Sequence, residues 1–253
     1  MVPRRLQLHQ GEGGDAILSF RALNIVQANS SGEHDCHNPQ LPEGFFITDW
    51  QLMNKAISPG GSAGLAVISR FRNQVITSPS NARLRFPFLE VEPMFFVSCV
   101  RGHLAALDGE ILSRKGALRV KIRFNGHTVD IVNTHLIGES LDGEKERDTN
   151  EYHRQGQTKE LLKFIERSCS DSDLVVLGGD FNFEETDVSH HLVTGDNFKD
   201  TGAGEGADRS TWGHPENTMG NSPPHLLDYV FVKTNKEQVE VEAKSFIPER
   251  AFQ

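Results

Sequence analysis

Hydrophobic and polar positions alternate with different periods along this chain, and the period marks out its elements. The stretch Leu174 to Phe183 (LVVLGGDFNF) is apolar without a polar break until two glycines, so it predicts a strand buried on both faces. Ala117 to Phe124 (ALRVKIRF) alternates apolar with basic residues and predicts a half-buried strand. Asn125-Gly126 follows as a strong hairpin signal, and Thr128 to Leu136 (TVDIVNTHL) returns as the antiparallel partner. Further strands are predicted at Ala16 to Val26, Ser62 to Phe71, Glu92 to Val100, Leu226 to Val232 and, more weakly, Val239 to Phe246. A helix is predicted from about Asn150 to Cys169, with Tyr152, Leu161, Leu162, Phe164 and Ile165 supplying much of its buried face. Shorter helical patterns lie at Asp49 to Ser58 and near Ser189 to Val193. The helix and the strand after it make a strand–helix–strand unit with the returning hairpin strand.

Between these elements the chain is polar. Gln27 to Gly44 is rich in Ser, Asn, Gly, Pro and His and reads as loop. Its His34-Asp35-Cys36-His37 cluster lacks zinc spacings, and four consecutive loop residues rarely converge on one ion. No internal repeat and no linker divides the chain, so residues 16–253 are expected to form one domain after a disordered lead-in at 1–15. Composition narrows the class. The chain has 253 residues, 37% hydrophobic, with a formal net charge of -9. An acidic balance argues against non-specific binding to a nucleic-acid backbone, although a bound divalent cation would change the local sign. Cys36, Cys99 and Cys169 are an odd count without useful spacing and read as free thiols in a reducing compartment. No apolar run reaches the length of a membrane span and no signal-peptide pattern opens the chain, so a cytoplasmic protein, peripheral at a membrane surface, is expected.

Several polar residues interrupt the apolar strands or follow their ends: Asn24, His135, Asp180 with Asn182, and Asp228. A charged group inside a strand such as LLDYVFV is costly unless it is paired or binds an ion. Each alone reads as a satisfied core polar residue. Together they suit metal-assisted attack of water on phosphorus, which needs a carboxylate, a cation and donors for the developing charge. A GxSxG elbow and a Walker A loop are both absent.

The ordered pieces ALNI, GLAVISRF, VNTHL, GGDFNF, DRSTW and LDYVFV resemble the endonuclease/exonuclease/phosphatase superfamily, the deoxyribonuclease-I-like fold, from about Ala16 to Phe246. That resemblance implies an α/β (α+β) four-layer sandwich, two mixed sheets packed face to face and flanked by helices. SRKGALRVKI, the helix with Arg154 and Gln157, HPENTM and the KSF near Lys244 to Phe246 look similar to neutral sphingomyelinases. The resemblance implies Mg²⁺-dependent hydrolysis of sphingomyelin to ceramide and phosphocholine, with a phospholipid at a membrane surface as partner. By the same resemblance, Asp180 would activate water, and Asn182 would orient or bind the phosphate with Lys115 beside it. His135 would bond a phosphoryl oxygen, Asn24 would sit by the metal with Asp180, and Asp228 would hold the family's terminal histidine.

Two family features find no match. The metal-binding Glu of the second strand has no counterpart between Asn24 and Asp49, where Glu43 is the nearest acid, and the terminal Ser-Asp-His motif is not found. An alternatively spliced product, an imperfect gene model or a fragment would fit both departures, with reduced activity expected. The alternatives are a nuclease or nucleotide phosphodiesterase of the same fold, and a non-catalytic binding or regulatory protein on a decayed scaffold. No protein partner is predicted.

Overall fold

The structure, a computed structural model, describes residues 5–6, 21–24, 46–47, 65–69, 90–97, 115–124, 127–138, 144–202, 210–211, 224–236 and 245–246. The long loop at 27–44 and the short helix at 49–58 lie outside these residues, as do Glu43, Cys36 and Cys99.

Eleven strands and two helices are described. They are β1 (Arg5–Leu6), β2 (Arg21–Asn24), β3 (Phe46–Ile47), β4 (Leu65–Ser69), β5 (Glu90–Phe95), β6 (Gly116–Phe124), β7 (His127–His135), α1 (Glu144–Ser168), β8 (Leu174–Asp180), α2 (Val188–Gly195), β9 (Lys199–Asp200), β10 (Asp228–Thr234) and β11 (Ser245–Phe246). The principal sheet is mixed, in the order β5-β6-β7-β8-β10-β9. β7 and β8 are its parallel pair, joined by α1, and the other pairings are antiparallel. β5 carries Pro93 and lies at the edge, where a missing N–H donor is tolerated. A smaller antiparallel sheet, β2-β4-β3, packs across the first, with β4 against β6 and β7 and β2 against β8. The two mixed sheets of the expected sandwich are thus one mixed sheet and, among the described residues, one antiparallel sheet.

Burial follows the pleat. Leu118, Val120 and Ile122 of β6 and Leu174 and Val176 of β8 are buried on the face toward the small sheet. On the opposite face Ala117, Val132, Val175, Leu177, Tyr229 and Phe231 meet Leu161, Phe164 and Ile165 of α1 and Phe181 and Phe183 beyond β8. The same face carries a buried ionic group. The Nε and Nη2 of Arg119 donate to Asp130 at 2.8 and 3.3 Å, and Nη1 reaches Glu92 at 3.2 Å. Ser172 donates to the same Asp130 carboxylate. Cys169, a free thiol beside this group, is pushed up to about 12 by burial and the nearby Asp130 charge.

Several expectations are corrected. The helix begins at Glu144, a turn and a half before the predicted start, because its first turns carry no apolar stripe to betray them. Tyr152 is 73% exposed and is no part of its buried face. β5 ends at Phe95 rather than running on to Val100. Asp228 opens β10 instead of lying inside it, so no carboxylate is threaded through the middle of that strand. Of residues 1–15 only Arg5 and Leu6 are described, in a two-stranded ribbon with β11.

Candidate active site at the carboxyl end of the parallel strands

β7 and β8 run parallel in a register that sets His135 opposite Asp180, and the antiparallel β8–β10 pairing sets Asp180 opposite Asp228. Opposed residues share a face. His135, Asp180 and Asp228 therefore form a row across three strands, on the side that faces the small sheet. β2 packs against β8 and ends at Asn24, whose side chain lies outside the described residues.

The register depends on glycine. Gly179 has φ 143°, and a Cβ there would lie 2.0 Å from the Thr134 carbonyl oxygen. Only glycine lets β8 come this close to β7 one residue before Asp180. Past Asp180 the chain leaves the extended conformation. Asn182 is left-handed, φ 51°, so the alternation of an extended strand does not join it to Asp180. They are joined by a turn in which the Asn182 N–H donates to Asp180 Oδ1 at 3.1 Å.

The Leu136 carbonyl is the hub. It accepts from Asn182 Nδ2 at 2.9 Å and from Lys115 Nζ at 2.9 Å. Lys115 Nζ also lies 3.0 Å from His135 Nε2. An ammonium can only donate, so Nε2 accepts and the neutral ring carries its proton on Nδ1. Nδ1 is buried and has no hydrogen-bond partner. Asp180 Oδ2 is 3.7 Å from His135 Nε2. Burial first, and the Lys115 charge second, hold the His135 imidazole well below its ordinary range. A neutral imidazole, an ammonium and a carboxylate thus converge on one small space. The ammonium can hydrogen-bond an anionic oxygen, the imidazole can do so from Nε2 in its other tautomer, and the carboxylate can accept a proton from water.

All the predicted site residues with described side chains lie in or beside this row: His135, Asp180, Asn182, Asp228 and Lys115. Their supports were not predicted. Thr211 Oγ1 accepts from the N–H groups of Leu227 and Asp228, both at 3.0 Å, and so fixes the start of β10. Thr211 belongs to the DRSTW piece, whose Ser-Thr pair was its available signal. Glu184 and His225 pair just beyond β8 and before β10 in sequence, Oε1 to Nδ1 at 2.5 Å. Neither residue stands out in sequence because the partners are 41 positions apart.

Among the described residues no group of three or more His, Cys, Asp or Glu could hold a metal ion. Asp180 and Asp228 supply two carboxylates on one face, and a Mg²⁺ ion is held by one or two carboxylates with water and substrate phosphate. Two like charges directly opposed also favour a nearby cation. The donor set fits magnesium in that limited sense.

Residues 15–246 match the Endonuclease/Exonuclease/phosphatase family. The chain belongs to that family. Sphingomyelinase C from Listeria ivanovii is 30% identical to it over 129 residues, 48% of this chain and 38% of the relative. The chain thus spans well under half the length of that curated relative. Beta toxin from Staphylococcus aureus, in a variant with bound magnesium ions, superposes with a TM-score of 0.53 at 23% identity, covering 74% of this chain and 57% of that one. A β-hairpin deletion mutant of the same toxin gives 0.50 at 22%, covering 72% and 61%. These likenesses carry the deoxyribonuclease-I-like fold of the family, and the row of His135, Asp180 and Asp228 occupies the carboxyl end of its parallel strand pair.

Proposed function

We propose that the chain is a Mg²⁺-assisted phosphodiesterase that hydrolyses a phospholipid headgroup ester, with sphingomyelin giving ceramide and phosphocholine. The observation that supports it most is the convergence of Asp180, His135 and Lys115, with Asn182 locked to the same Leu136 carbonyl. Family membership supports phosphodiester chemistry. The Listeria ivanovii relative and the acidic net charge support a lipid over a nucleic acid.

In this reading Asp180 accepts the proton of the attacking water. His135, neutral at physiological pH, donates to a phosphoryl oxygen in the transition state: Lys115 turns from the ring to the arriving phosphate, and the single ring proton shifts from Nδ1 to Nε2. Asn182 orients that phosphate, and Asp228 anchors the far end of the row. Asp180 and Asp228, with Asn24 beside them, would hold the cation, which supplies charge neutralisation of the phosphoryl group and a more acidic water.

A substrate panel tests the lipid assignment. With Mg²⁺ present, sphingomyelin in mixed micelles, lysophosphatidylcholine and a single-stranded oligonucleotide are compared. Phosphocholine release from sphingomyelin at a rate at least tenfold above the other two is expected. Faster cleavage of the oligonucleotide would replace the lipid reading with the nuclease one. No turnover of any of the three by folded protein would leave a non-catalytic binding protein on this scaffold.

A further inference from the structure

Where β7 runs out at His135, the Leu136 N–H still donates to the Asp180 carbonyl at 3.0 Å, and one helix then takes over the backbone of Ile137 and Gly138. The Ile137 N–H donates to Gln157 Oε1 at 2.9 Å, and the Ile137 carbonyl accepts from Arg154 Nη1 at 3.0 Å. The Gly138 carbonyl accepts from Asn150 Nδ2 at 3.2 Å. Asn150, Arg154 and Gln157 fall at i, i+4 and i+7 of α1, one face of the helix. All three are buried, Arg154 to 1% exposure. A buried arginine is rare unless its charge is used, and here it is braced. Arg154 Nε donates to Glu151 at 3.0 Å, and the other oxygen of Glu151 accepts from Ser189 of α2 at 3.3 Å. Thr158 donates to the Arg154 carbonyl at 2.8 Å.

Leu136 lies between His135 and the clamped Ile137, and its carbonyl carries Lys115 and Asn182. The Ile137 N–H shares its peptide plane with the Leu136 carbonyl, so the bond to Gln157 fixes the direction of that carbonyl, and the bond to Arg154 fixes the next plane. We infer that Arg154 and Gln157, with Asn150, are positioning residues: they lock residues 136–138 so that the Leu136 carbonyl holds Lys115 and Asn182 against His135. The polar residues Asn150, Arg154 and Gln157 are therefore a working face of the helix. Tertiary position, not apolar periodicity, explains its residue types.

The inference rests on the reading of His135 as a working residue, but its readout is the imidazole itself, so it is decided even if no substrate is turned over. Nitrogen-15 NMR of histidine-labelled protein identifies His135 by the signal lost in His135→Gln. Gln157→Met removes the acceptor at nearly constant size. The expected result is a folded protein in which the His135 nitrogen pair moves toward the mixed tautomer pattern of a free imidazole. Gln157→Glu, which keeps an acceptor oxygen, returns it toward wild type, and Lys163→Met, exposed on the same helix, leaves it unchanged. In the active enzyme kcat falls about tenfold to a hundredfold with KM little changed, as a small misplacement of a reacting group does. Wild-type His135 signals in folded Gln157→Met would overturn the inference. Should that variant not fold, Arg154→Met, which removes the donor to the Ile137 carbonyl, is read in the same way, and unchanged His135 signals there overturn it equally.

Discussion

Lys115 helps to set the state of His135. The ammonium donates to Nε2 and its charge opposes ring protonation, on top of the larger effect of burial. Lys115→Met removes the charge and keeps much of the stem, so the His135 pKa should rise toward its ordinary 6.5 while burial still holds it below, which an NMR titration reads directly. The sign carries into stability. A histidine depressed in the folded state contributes stability above its unfolded value, and that contribution is lost as pH falls below it. Asn182 is the other residue held away from its easiest conformation. Asn182→Ala keeps the left-handed backbone, loses the bond to Leu136 and should cost about 1–3 kcal/mol in thermal or denaturant unfolding. His135, Asp180 and Asn182 were legible in sequence because polar groups stand at the ends of apolar strands there. The Leu136 hub was not, since a backbone carbonyl has no sequence signature.

At the scale of elements, the β7–β8 junction is set by a missing side chain. Gly179→Ala places a Cβ 2.0 Å from the Thr134 carbonyl oxygen at φ 143°. Neither strand can yield without moving His135 or Asp180, so the variant should lose about 3 kcal/mol or more of stability and its activity with it. Gly116→Ala meets the Met94 carbonyl oxygen at 1.9 Å and tests β5–β6 in the same way, farther from the site. The hairpin of β6 and β7, read from alternation and Asn125-Gly126, is present with Phe124 opposite His127. β8 is legible for the same reason: aliphatic runs and turn chemistry are local. The start of α1, the exposure of Tyr152 and the pair β9 were not legible. Their residue types answer to contacts far along the chain, such as Arg154 with Ile137 and Asp200 with Phe231.

For the whole molecule, two buried or tightly bound carboxylates shape the acid response in opposite senses. Asp173 is held down to about 2, first by Lys236 and then by the Thr128 backbone and hydroxyl bonds. Its contribution is present above the ordinary 3.8 and lost as pH falls toward 2. Asp130 is raised by burial, against the pull of Ser172 and Arg119, so it favours the folded state below 3.8 and less so as pH rises through its raised value. Denaturant titrations from pH 6 to 2 should therefore show Asp173→Asn with a shallower acid loss than wild type. Asp130→Ala should cost about 3–5 kcal/mol near neutral pH, because Arg119 is left buried with its main partner gone. The family could be read from six short pieces in order, each weak alone. The metal-binding Glu could not be placed, and the residues between Asn24 and Asp49 that would carry it are described only at Phe46 and Ile47.

The central claim is that Asp180, set beside His135 by the β7–β8 register, drives metal-dependent phosphodiester hydrolysis. It is tested most directly by phosphocholine release from sphingomyelin mixed micelles, with Mg²⁺ and with chelator, for wild type and Asp180→Asn. Release that requires Mg²⁺ and falls at least about a thousandfold in the variant is the predicted result, since losing a member of a catalytic set costs several powers of ten. Release that persists in folded Asp180→Asn, or that ignores Mg²⁺, would contradict it.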